Sequence, residues 1–401
     1  MKNFVFLSPN FPANYWLFCR ELKKDGLRVL GIGDCPYPQL EPKLKEQLEE
    51  YYQVDSLEDY DAVYRAVAFF IHKYGRIDWL ESNNEYWLER DAWLRTDFNI
   101  CSGFKTEDMA RVKYKSAMKA QYAAAGIPTA RYYVVENEAG CRAFIDEVGY
   151  PVVVKPDNGV GACQTYKLNS DDDLNRFIRK HEHDSTVFIM EEFVRGQICS
   201  YDAIIDGNGQ PIFETGNITP LSIMDMVNNG DDCTFYMRSK LPDDLVDVGR
   251  RAVHSFGVKS RFIHFEFFRL TEDMPSIGPA GTLAGLEVNM RPSGGCSPDM
   301  MNFASQTDVY KIWADMIAYG HSTLHPEPAE RFCAFVGRRD GKSYLRSDEN
   351  ILESYGDHLM LAGKVPDVLS DDMGNRMFLA NFDTEEEVYA YFQELTACKE
   401  S

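Results

Sequence analysis

The tightest constraint on this chain comes from the ten residues LEVNMRPSGG at positions 286–295. Glu287, Asn289 and Arg291 alternate there with apolar residues, which predicts a strand that carries all three side chains on one face. The two oxygen-bearing side chains are hard ligands of the kind that Mg²⁺ takes beside nucleotide phosphates, and the arginine can hold an anion through its planar guanidinium group. The segment therefore predicts a strand at a phosphate-handling site.

A second carboxylate, Glu266, lies in a strand-like run of apolar and aromatic residues at positions 261–270. A charge among large hydrophobic side chains is costly unless it has a partner, and a metal ion is one such partner. Considered alone, Glu266 could instead pair with a neighbouring basic residue, and Glu287 could occupy a solvated strand face. Together with Asn289, Arg291 and the glycines that follow, the pattern favours two glutamates that share cations.

A basic residue and a glycine-rich loop occur earlier in the chain. Lys155 ends a run of valines, and Asn158, Gly159 and Gly161 follow it. A strand would fix the ammonium group, and the glycines would let backbone N–H groups approach phosphate oxygens. A dinucleotide-binding loop is disfavoured because Gln164 stands where a third glycine would be needed, and the sequence lacks the P-loop signature. An ordinary hairpin turn remains the alternative for the two glycines.

The first hundred residues alternate between strand and helix patterns. Strands are predicted at 4–7, 27–31, 51–54 and 77–81, with helices at about 12–24 and 58–74. This alternation predicts a small α/β domain with a doubly wound parallel sheet. Open sheets of this kind place ligands beyond the carboxyl ends of their strands. Glu85, just after the strand at 77–81, is therefore a candidate substrate-site residue.

These segments resemble the ATP-grasp superfamily, whose ligases end their nucleotide site with a strand glutamate followed by a Glu-x-Asn-x-Arg strand. Lys115, eleven residues before Gly126, resembles the first phosphate lysine of that family, and positions 187–196 resemble its adenine-binding hinge. The resemblance covers about residues 105–320. It implies an N-terminal domain at 1–104, an α+β ATP-grasp domain at 105–326 with a lid at about 130–190, and a small C-terminal α+β subdomain at 327–401.

The resemblance also implies ATP and Mg²⁺ (or Mn²⁺) as cofactors and a role for particular residues. One departure concerns the ribose, because Ile198 stands where many relatives carry a carboxylate and Asp202 is the nearest acidic substitute. The implied metal ligands are Glu266, Glu287 and Asn289; the nucleotide contacts are Lys115, Lys155, Asn158, Gly159, Gly161, the Glu191 side chain and the backbones of Glu192 and Val194; the catalytic residues are Arg291 and Lys155; and the substrate contacts are Arg291, Ser293, Gly294, Glu85 and Tyr236.

By this resemblance the chain is expected to be a carboxylate–amine ligase that forms an amide through an acyl phosphate, with small-molecule carboxylate and amine substrates. The chain also resembles proteins like the large subunit of carbamoyl phosphate synthase. A bicarbonate-using carboxylase or carbamoyl phosphate type of enzyme therefore stays open as an alternative. A sensor that binds ATP without turnover is a third reading.

The net charge and the cysteine pattern limit the classes of partner and the cellular compartment that the sequence predicts. A net charge of −21 argues against nucleic acid and against an anionic membrane surface as partners. Ten cysteines are scattered without a Cys-x-x-Cys pair, as expected for reduced thiols in a cytoplasmic protein. No signal peptide or membrane span is predicted from the apolar runs. A homodimer is left open.

Overall fold

The computed structural model describes residues 1–159, 164–220, 230–325 and 329–399. They form three sheets: a parallel sheet of four strands, an antiparallel sheet of four strands, and a sheet of eight strands. The expected mixed α/β architecture is confirmed. Among the described residues, no helix combines the length and the apolar character needed to cross a lipid bilayer.

The N-terminal sheet is parallel and has the strand order β3-β2-β1-β4. Its central strand β1 is fully buried and consists mainly of aromatic and branched residues, as expected when helices cover both faces of a parallel sheet. The order reverses between β1 and β4, which makes the gap beyond their carboxyl ends a topological switch point. The elements are β1 (Asn3–Leu7), α1 (Trp16–Lys24), β2 (Arg28–Gly33), α2 (Pro42–Lys45), β3 (Glu50–Gln53), α3 (Tyr60–Tyr74), β4 (Trp79–Glu81) and α4 (Leu88–Asp97).

The sequence pattern predicts one helix over about 107–125, and this prediction is wrong as a single element, because the chain breaks at Tyr114. Two helices result, α5 (Met109–Lys113) and α6 (Lys115–Ala124). Residues at the break form hydrogen bonds to Asp157, in another part of the chain. The backbone N–H of Lys115 donates to the Asp157 carbonyl (2.8 Å). The backbone N–H and the hydroxyl of Ser116 both donate to the Asp157 carboxylate (2.7 Å each). Asp157 thus caps α6 and sets where Lys115 lies.

The four-stranded antiparallel sheet of residues 132–192, here called the lid sheet, has the order β5-β8-β6-β7. Two amphipathic helices cover one face through apolar residues such as Phe144 and Phe177. The sheet lies where the lid was predicted. Its elements are β5 (Tyr132–Val134), α7 (Glu138–Val148), β6 (Val152–Pro156), β7 (Tyr166–Leu168), α8 (Asp171–His181) and β8 (Phe188–Glu192).

The eight-stranded sheet has the order β13-β12-β9-β10-β11-β14-β16-β15. One face packs against α6, α9 and α14, and the other packs against α10 and α11, which also contact the N-terminal sheet. The elements are β9 (Gly196–Ile205), β10 (Pro211–Thr219), β11 (Cys233–Arg238), α9 (Asp243–Ser255), β12 (Arg261–Leu270), β13 (Leu283–Asn289), α10 (Ser297–Ser305), α11 (Val309–Tyr319), β14 (Phe332–Arg338), α12 (Asp348–Ser354), β15 (Leu359–Lys364), α13 (Ser370–Met373), β16 (Arg376–Phe382) and α14 (Glu385–Thr396).

The C-terminal strands belong to this same sheet. Strand β14 pairs with β11 along its whole length, from Phe332 opposite Arg238 to Gly337 opposite Cys233. The predicted boundary between 326 and 327 therefore does not coincide with a break in the sheet. The sequence predicts strands at about 332–336 and 359–361 and a helix at 384–395, and the structure has them there, with the strands extending the large sheet.

Candidate active site

The two glutamates predicted to share cations face each other on neighbouring strands. Glu266 on β12 is the direct cross-strand partner of Glu287 on β13, and Asn289 follows two residues later. The Asn289 amide nitrogen donates to Glu287 Oε1 (3.2 Å). The side chains of Glu266 and Glu287 are 23% and 17% exposed, so both carboxylates reach a partly open surface. Two carboxylates and an amide oxygen therefore lie side by side.

Behind Glu266 lies a buried pair that sequence reasoning missed. His264 Nδ1 is 2.8 Å from Asp202 Oδ1, and its Nε2 is 3.3 Å from Glu266 Oε1. Burial lowers the pKa of His264, but Asp202 and Glu266 outweigh that effect and raise it to about 10. A charged imidazolium thus holds Glu266 in place. The alternation of His264 and Glu266 on one strand was the available signal.

The suggestion that Asp202 replaces the missing ribose carboxylate is wrong. Its side chain is fully buried, accepts a hydrogen bond from Ser200 Oγ and contacts His264. These contacts commit the carboxylate to the interior of the sheet. No ribose-binding residue is assigned here.

The first predicted phosphate lysine lies beside the carboxylates. Lys115 Nζ is 3.2 Å from Glu287 Oε2 and donates to the Gly159 carbonyl (2.8 Å). It starts α6, whose N-terminal backbone groups carry a partial positive charge. Asn158 is exposed at the tip of the same loop, whereas Gly161 lies outside the described residues. Lys115 therefore links the glycine-rich loop to the acidic strands.

The second predicted lysine is part of a buried cluster that includes one residue the sequence reading missed. Lys155 Nζ is 2.6 Å from Glu191 Oε2, and Lys119 Nζ contacts the other oxygen of that carboxylate. Burial would raise the pKa of Glu191, but the two ammonium groups lower it to about 2. Burial lowers the pKa of Lys155, yet Glu191 and Glu287 raise it overall. Lys119 lies one helical turn after Lys115, a spacing that could have revealed it.

The hinge residues are held by contacts within the chain. The Glu192 carboxylate accepts hydrogen bonds from the Arg131 guanidinium group and from Ser276. The Glu192 backbone N–H donates to the Arg131 carbonyl (3.1 Å), so a bond to adenine would have to come from the Glu192 carbonyl. Val194 packs with Ala130 and Leu270. The adenine contacts of the Glu191 side chain and of the Glu192 and Val194 backbones remain predictions.

The loop after β13 carries the predicted anion-binding residue. Arg291 Nη1 donates to the Pro292 carbonyl (2.8 Å), and Nη2 is 3.4 Å from Asn289 Oδ1. Ser293 is buried, and a Cβ at Gly294 would meet no other atom within 4 Å. Glu85 lies close by, since its Oε2 accepts from the Met290 backbone N–H (3.1 Å). That bond attaches the N-terminal domain to the end of β13.

The prediction that Tyr236 contacts substrate is wrong. Its side chain is fully buried on β11, packs against Phe332 and Phe392, and donates its hydroxyl hydrogen bond to Glu385. Strand β11 is four positions from β13 in the sheet, about 19 Å at ordinary strand spacing. The tyrosine belongs to the core under α14.

A cavity of about 470 Å³ separates the glycine-rich loop from the N-terminal domain. Asn158 and Gly159 line one side, and Trp87, Trp93 and Lys113 line the other. A larger cavity of about 900 Å³ lies between α6 and α9 near Arg250, on a different part of the surface from the paired glutamates.

The donor set fits a metal ion that also binds phosphate. Within residues 1–159, 164–220, 230–325 and 329–399, no three His, Cys, Asp or Glu side chains form a cluster that could hold a metal by themselves. Glu266, Glu287 and Asn289 supply hard oxygen atoms at one place and leave further positions for phosphate and water, as Mg²⁺ sites in nucleotide-binding enzymes do.

Comparisons with known proteins agree with this geometry. Residues 120–198 match the model of the ATP-grasp domain. The chain is 30% identical to the L-arginine-specific L-amino acid ligase of Bacillus subtilis over 32% of this chain and 31% of that protein. It is 33% identical to D-alanine–D-alanine ligase B of Clostridium perfringens over 25% of this chain and 33% of that protein. Each match thus spans about a third of the relative's length.

A solved structure extends the likeness over nearly the whole chain. The L-amino acid ligase of Bacillus licheniformis superposes with a TM-score of 0.74, covering 98% of this chain and 96% of that one. The sequence identity is 16%, which supports a common fold and nothing finer. The sequence of residues 120–198 thus matches the ATP-grasp domain, and the fold of nearly the whole chain is similar to that of a solved L-amino acid ligase.

Proposed function

We propose that the chain is an ATP-dependent ligase that joins a carboxylate to an amine and releases ADP and phosphate. The observation that carries this proposal is the meeting of opposite charges at β12 and β13. Glu266 and Glu287 face each other across the strands, and the Lys115 ammonium group is 3.2 Å from Glu287. Acidic ligands and ammonium groups in one place suit a triphosphate and its metal ion. The ligase names of the two curated relatives support the same reaction class.

Each part of the nucleotide would have its own residues. Bound Mg²⁺ or Mn²⁺ would stabilise the charge that develops on the transferring phosphoryl group. Lys115 and Lys155 would neutralise phosphate oxygens, and the lid sheet would exclude water from a reactive intermediate. The metal ligands would be Glu266, Glu287 and Asn289, the loop residues on the phosphates Asn158, Gly159 and Gly161, and the adenine contacts Glu191, Glu192 and Val194.

The chemistry follows from the weakness of a carboxylate as an electrophile. A carboxylate oxygen attacks the γ-phosphorus, the bond from that phosphorus to the β-phosphate oxygen breaks, and ADP leaves. The amine nitrogen then attacks the acyl carbon, the bond to phosphate breaks, and the nitrogen loses a proton. Arg291, at the end of β13, would hold the carboxylate or the transferred phosphoryl group through its planar fork.

The first test uses hydroxylamine to trap the acyl phosphate as a hydroxamate. We expect Glu287→Gln to reduce hydroxamate formation and phosphate release by roughly 100-fold or more, because the amide keeps the shape but loses the negative charge that would bind the metal ion. The matched control is Glu272→Gln, since Glu272 is an exposed carboxylate paired with Arg195. The control should behave like the parent protein.

Three results would contradict the proposal. A Glu287→Gln variant with parental phosphate release and parental Mg²⁺ dependence would remove the paired carboxylates from the reaction. Phosphate release with bicarbonate and with no other acid would assign the chain to the bicarbonate-using class. ATP binding without phosphate release over the whole panel of carboxylates and amines would identify a nucleotide sensor.

A further inference from the structure

Two strained residues mark the switch point of the N-terminal sheet. Ser8 follows β1 and Asn83 follows β4, and both have left-handed backbone conformations (φ 55° and 53°). Such conformations are uncommon outside glycine and tend to occur at functional sites. β1 and β4 are the neighbouring strands between which the strand order reverses. Ligands of open α/β sheets bind in the crevice at this position.

The loop after β13 closes the same crevice from the side of the large sheet. The Asn14 amide nitrogen donates to Asp299 Oδ2 (3.0 Å) and lies 3.4 Å from the Gly295 carbonyl. The Tyr15 hydroxyl donates to the Asn83 carbonyl (2.6 Å). Burial raises the pKa of Tyr15, and the guanidinium group of Arg291 is near enough to lower it in part. The loops that follow β1, β4 and β13 therefore meet at one place, beside the paired glutamates.

Four polar atoms in these loops are buried and have no hydrogen-bond partner among the described residues: Asn83 Nδ2, Ser293 Oγ, Asn10 Oδ1 and Asn14 Oδ1. Asn83 and Ser293 are only 2% and 4% exposed. The amide of Asn14 has a defined orientation, because its nitrogen already faces three oxygen acceptors. An unpaired buried polar group is costly, so four such atoms in adjoining loops indicate a ligand-binding surface.

The chemistry of these atoms is of two kinds. The Asn83 amide nitrogen, the Ser293 hydroxyl and the Arg291 guanidinium group can all donate hydrogen bonds, as a carboxylate requires. The amide oxygens of Asn10 and Asn14 can only accept, as an amino group requires. The donors come from the loops after β4 and β13, and the acceptors come from the loop after β1.

We infer that the crevice binds the α-amino and α-carboxylate groups of an amino acid, and that this amino acid is the acyl donor. Asn83, Ser293 and Arg291 hold the carboxylate, and Asn10 and Asn14 hold the amino group. The inference rests on the proposed ligase function, because it names the acid that the ligase activates.

The test measures hydroxamate formation from proteinogenic L-amino acids, with the corresponding acids that lack the α-amino group as probes. We expect hydroxamate from the amino acids only. Ser293→Ala and Asn83→Asp should each raise the KM for the amino acid at least tenfold while the KM for ATP changes less than twofold. Asp suits position 83 because Asn and Asp both tolerate a left-handed backbone, but its charge would repel the carboxylate.

Ser305→Ala is the matched control. Ser305 Oγ is also buried and unpartnered among the described residues, but it lies at the far end of α10. Its KM for the amino acid should equal that of the parent. Thermal melting of all variants distinguishes a lost contact from a lost fold, and saturation-transfer NMR with the same amino acids measures binding without turnover.

The outcomes separate the inference from the function. Hydroxamate from acids without an α-amino group, or a KM insensitive to both substitutions, would overturn the inference and leave the ligase intact. If no acid gives hydroxamate but amino acids still bind, and Ser293→Ala weakens that binding, the ligase function would be overturned. The assignment of the crevice as an amino-acid site would stand. Absence of hydroxamate together with absence of amino-acid binding would overturn both the inference and the ligase function.

Discussion

Glu191 and Asp91 show how differently two buried carboxyl groups can be charged. Glu191 lies between the ammonium groups of Lys119 and Lys155, which keep it ionised in spite of burial. Asp91 accepts hydrogen bonds from the Ser82 backbone N–H (2.9 Å) and hydroxyl (2.6 Å). Burial and the nearby Glu81 carboxylate raise the pKa of Asp91 to about 8. At neutral pH, Asp91 therefore keeps its proton while Glu191 loses it.

The raised pKa of Asp91 makes stability depend on pH. Between about pH 4 and 8 the folded chain keeps a proton that the unfolded chain has lost, so the free energy of unfolding falls as pH rises. Asparagine has the shape of the protonated acid and no proton to lose. We expect Asp91→Asn to gain stability over the parent by up to about 1.4 kcal/mol per pH unit from pH 6 to 8, with no further gain above pH 9.

Urea unfolding of parent and variant at pH 6, 7, 8 and 9 measures this difference. Asp61→Asn serves as the control because Asp61 is 76% exposed beside Arg65, and its difference from the parent should be the same at every pH. A constant difference for Asp91→Asn as well would show that Asp91 is ionised in the folded chain at pH 6.

Among the elements, α6 is the one whose start decides the geometry of the site. Asp157, at the end of β6, accepts from Ser116 N and Ser116 Oγ, and this contact holds Lys115 beside Glu287. The position of Lys115, which is predicted to contact phosphate, thus depends on a residue of the lid sheet. A displacement of Asp157 would therefore displace the start of α6, and Lys115 with it.

We expect Asp157→Ala to lower the free energy of unfolding by about 1–2 kcal/mol and to weaken ATP binding, because α6 loses its cap and Lys115 its position. Asp59→Ala is the matched control, since Asp59 caps α3 by accepting from Ala62 N (3.2 Å) far from the acidic strands. The control should lose similar stability and bind ATP normally by calorimetry. Equal ATP affinity in both variants would show that the cap has no part in positioning Lys115.

Local patterns were enough to predict the N-terminal sheet and the strands that carry Glu266 and Glu287, whereas the lid was placed by the family resemblance. They could not predict the break at Tyr114, because its cause, Asp157, lies 41 residues from Ser116 along the chain. The contact between His264 and Asp202 spans 62 residues and was missed for the same reason. Strand periodicity does not show which strands pair, so the continuation of the large sheet through β14, β16 and β15 was not predicted.

In the molecule as a whole, one buried carboxylate connects the N-terminal sheet to the eight-stranded sheet. Glu81 at the end of β4 contacts Arg261 on β12 (2.7 Å) and Arg95 on α4 (2.8 Å). Arg261 also donates to the Met290 carbonyl (2.6 Å), next to the loop that carries Arg291. The contact therefore holds together the two halves of the crevice.

We expect Arg261→Met to lower the free energy of unfolding by about 3–5 kcal/mol, because it removes one partner from a buried charge network. Four of the five tryptophans lie in residues 1–104, and Trp313 packs on Phe4 and Phe18. Tryptophan fluorescence should therefore change at a lower urea concentration than circular dichroism in this variant, but not in the parent.

Arg269→Met provides the comparison, because Arg269 is on the same strand and pairs with the exposed Asp244. An exposed pair contributes at most about 1 kcal/mol, so the two probes should coincide in that variant. Coincident transitions in Arg261→Met would show that other contacts suffice to couple the sheets.

The pairing of β11 with β14 has a consequence for how the chain emerges from the ribosome. Arg238 ends β11, and its partner Phe332 is made 94 residues later. At 5–20 residues per second, β11 waits roughly 5–20 s with one edge unpaired. An open edge of apolar residues is a template for association with other chains. The growing chain therefore passes through a period in which a chaperone, or the masking of β11 by earlier parts of the chain, decides its solubility.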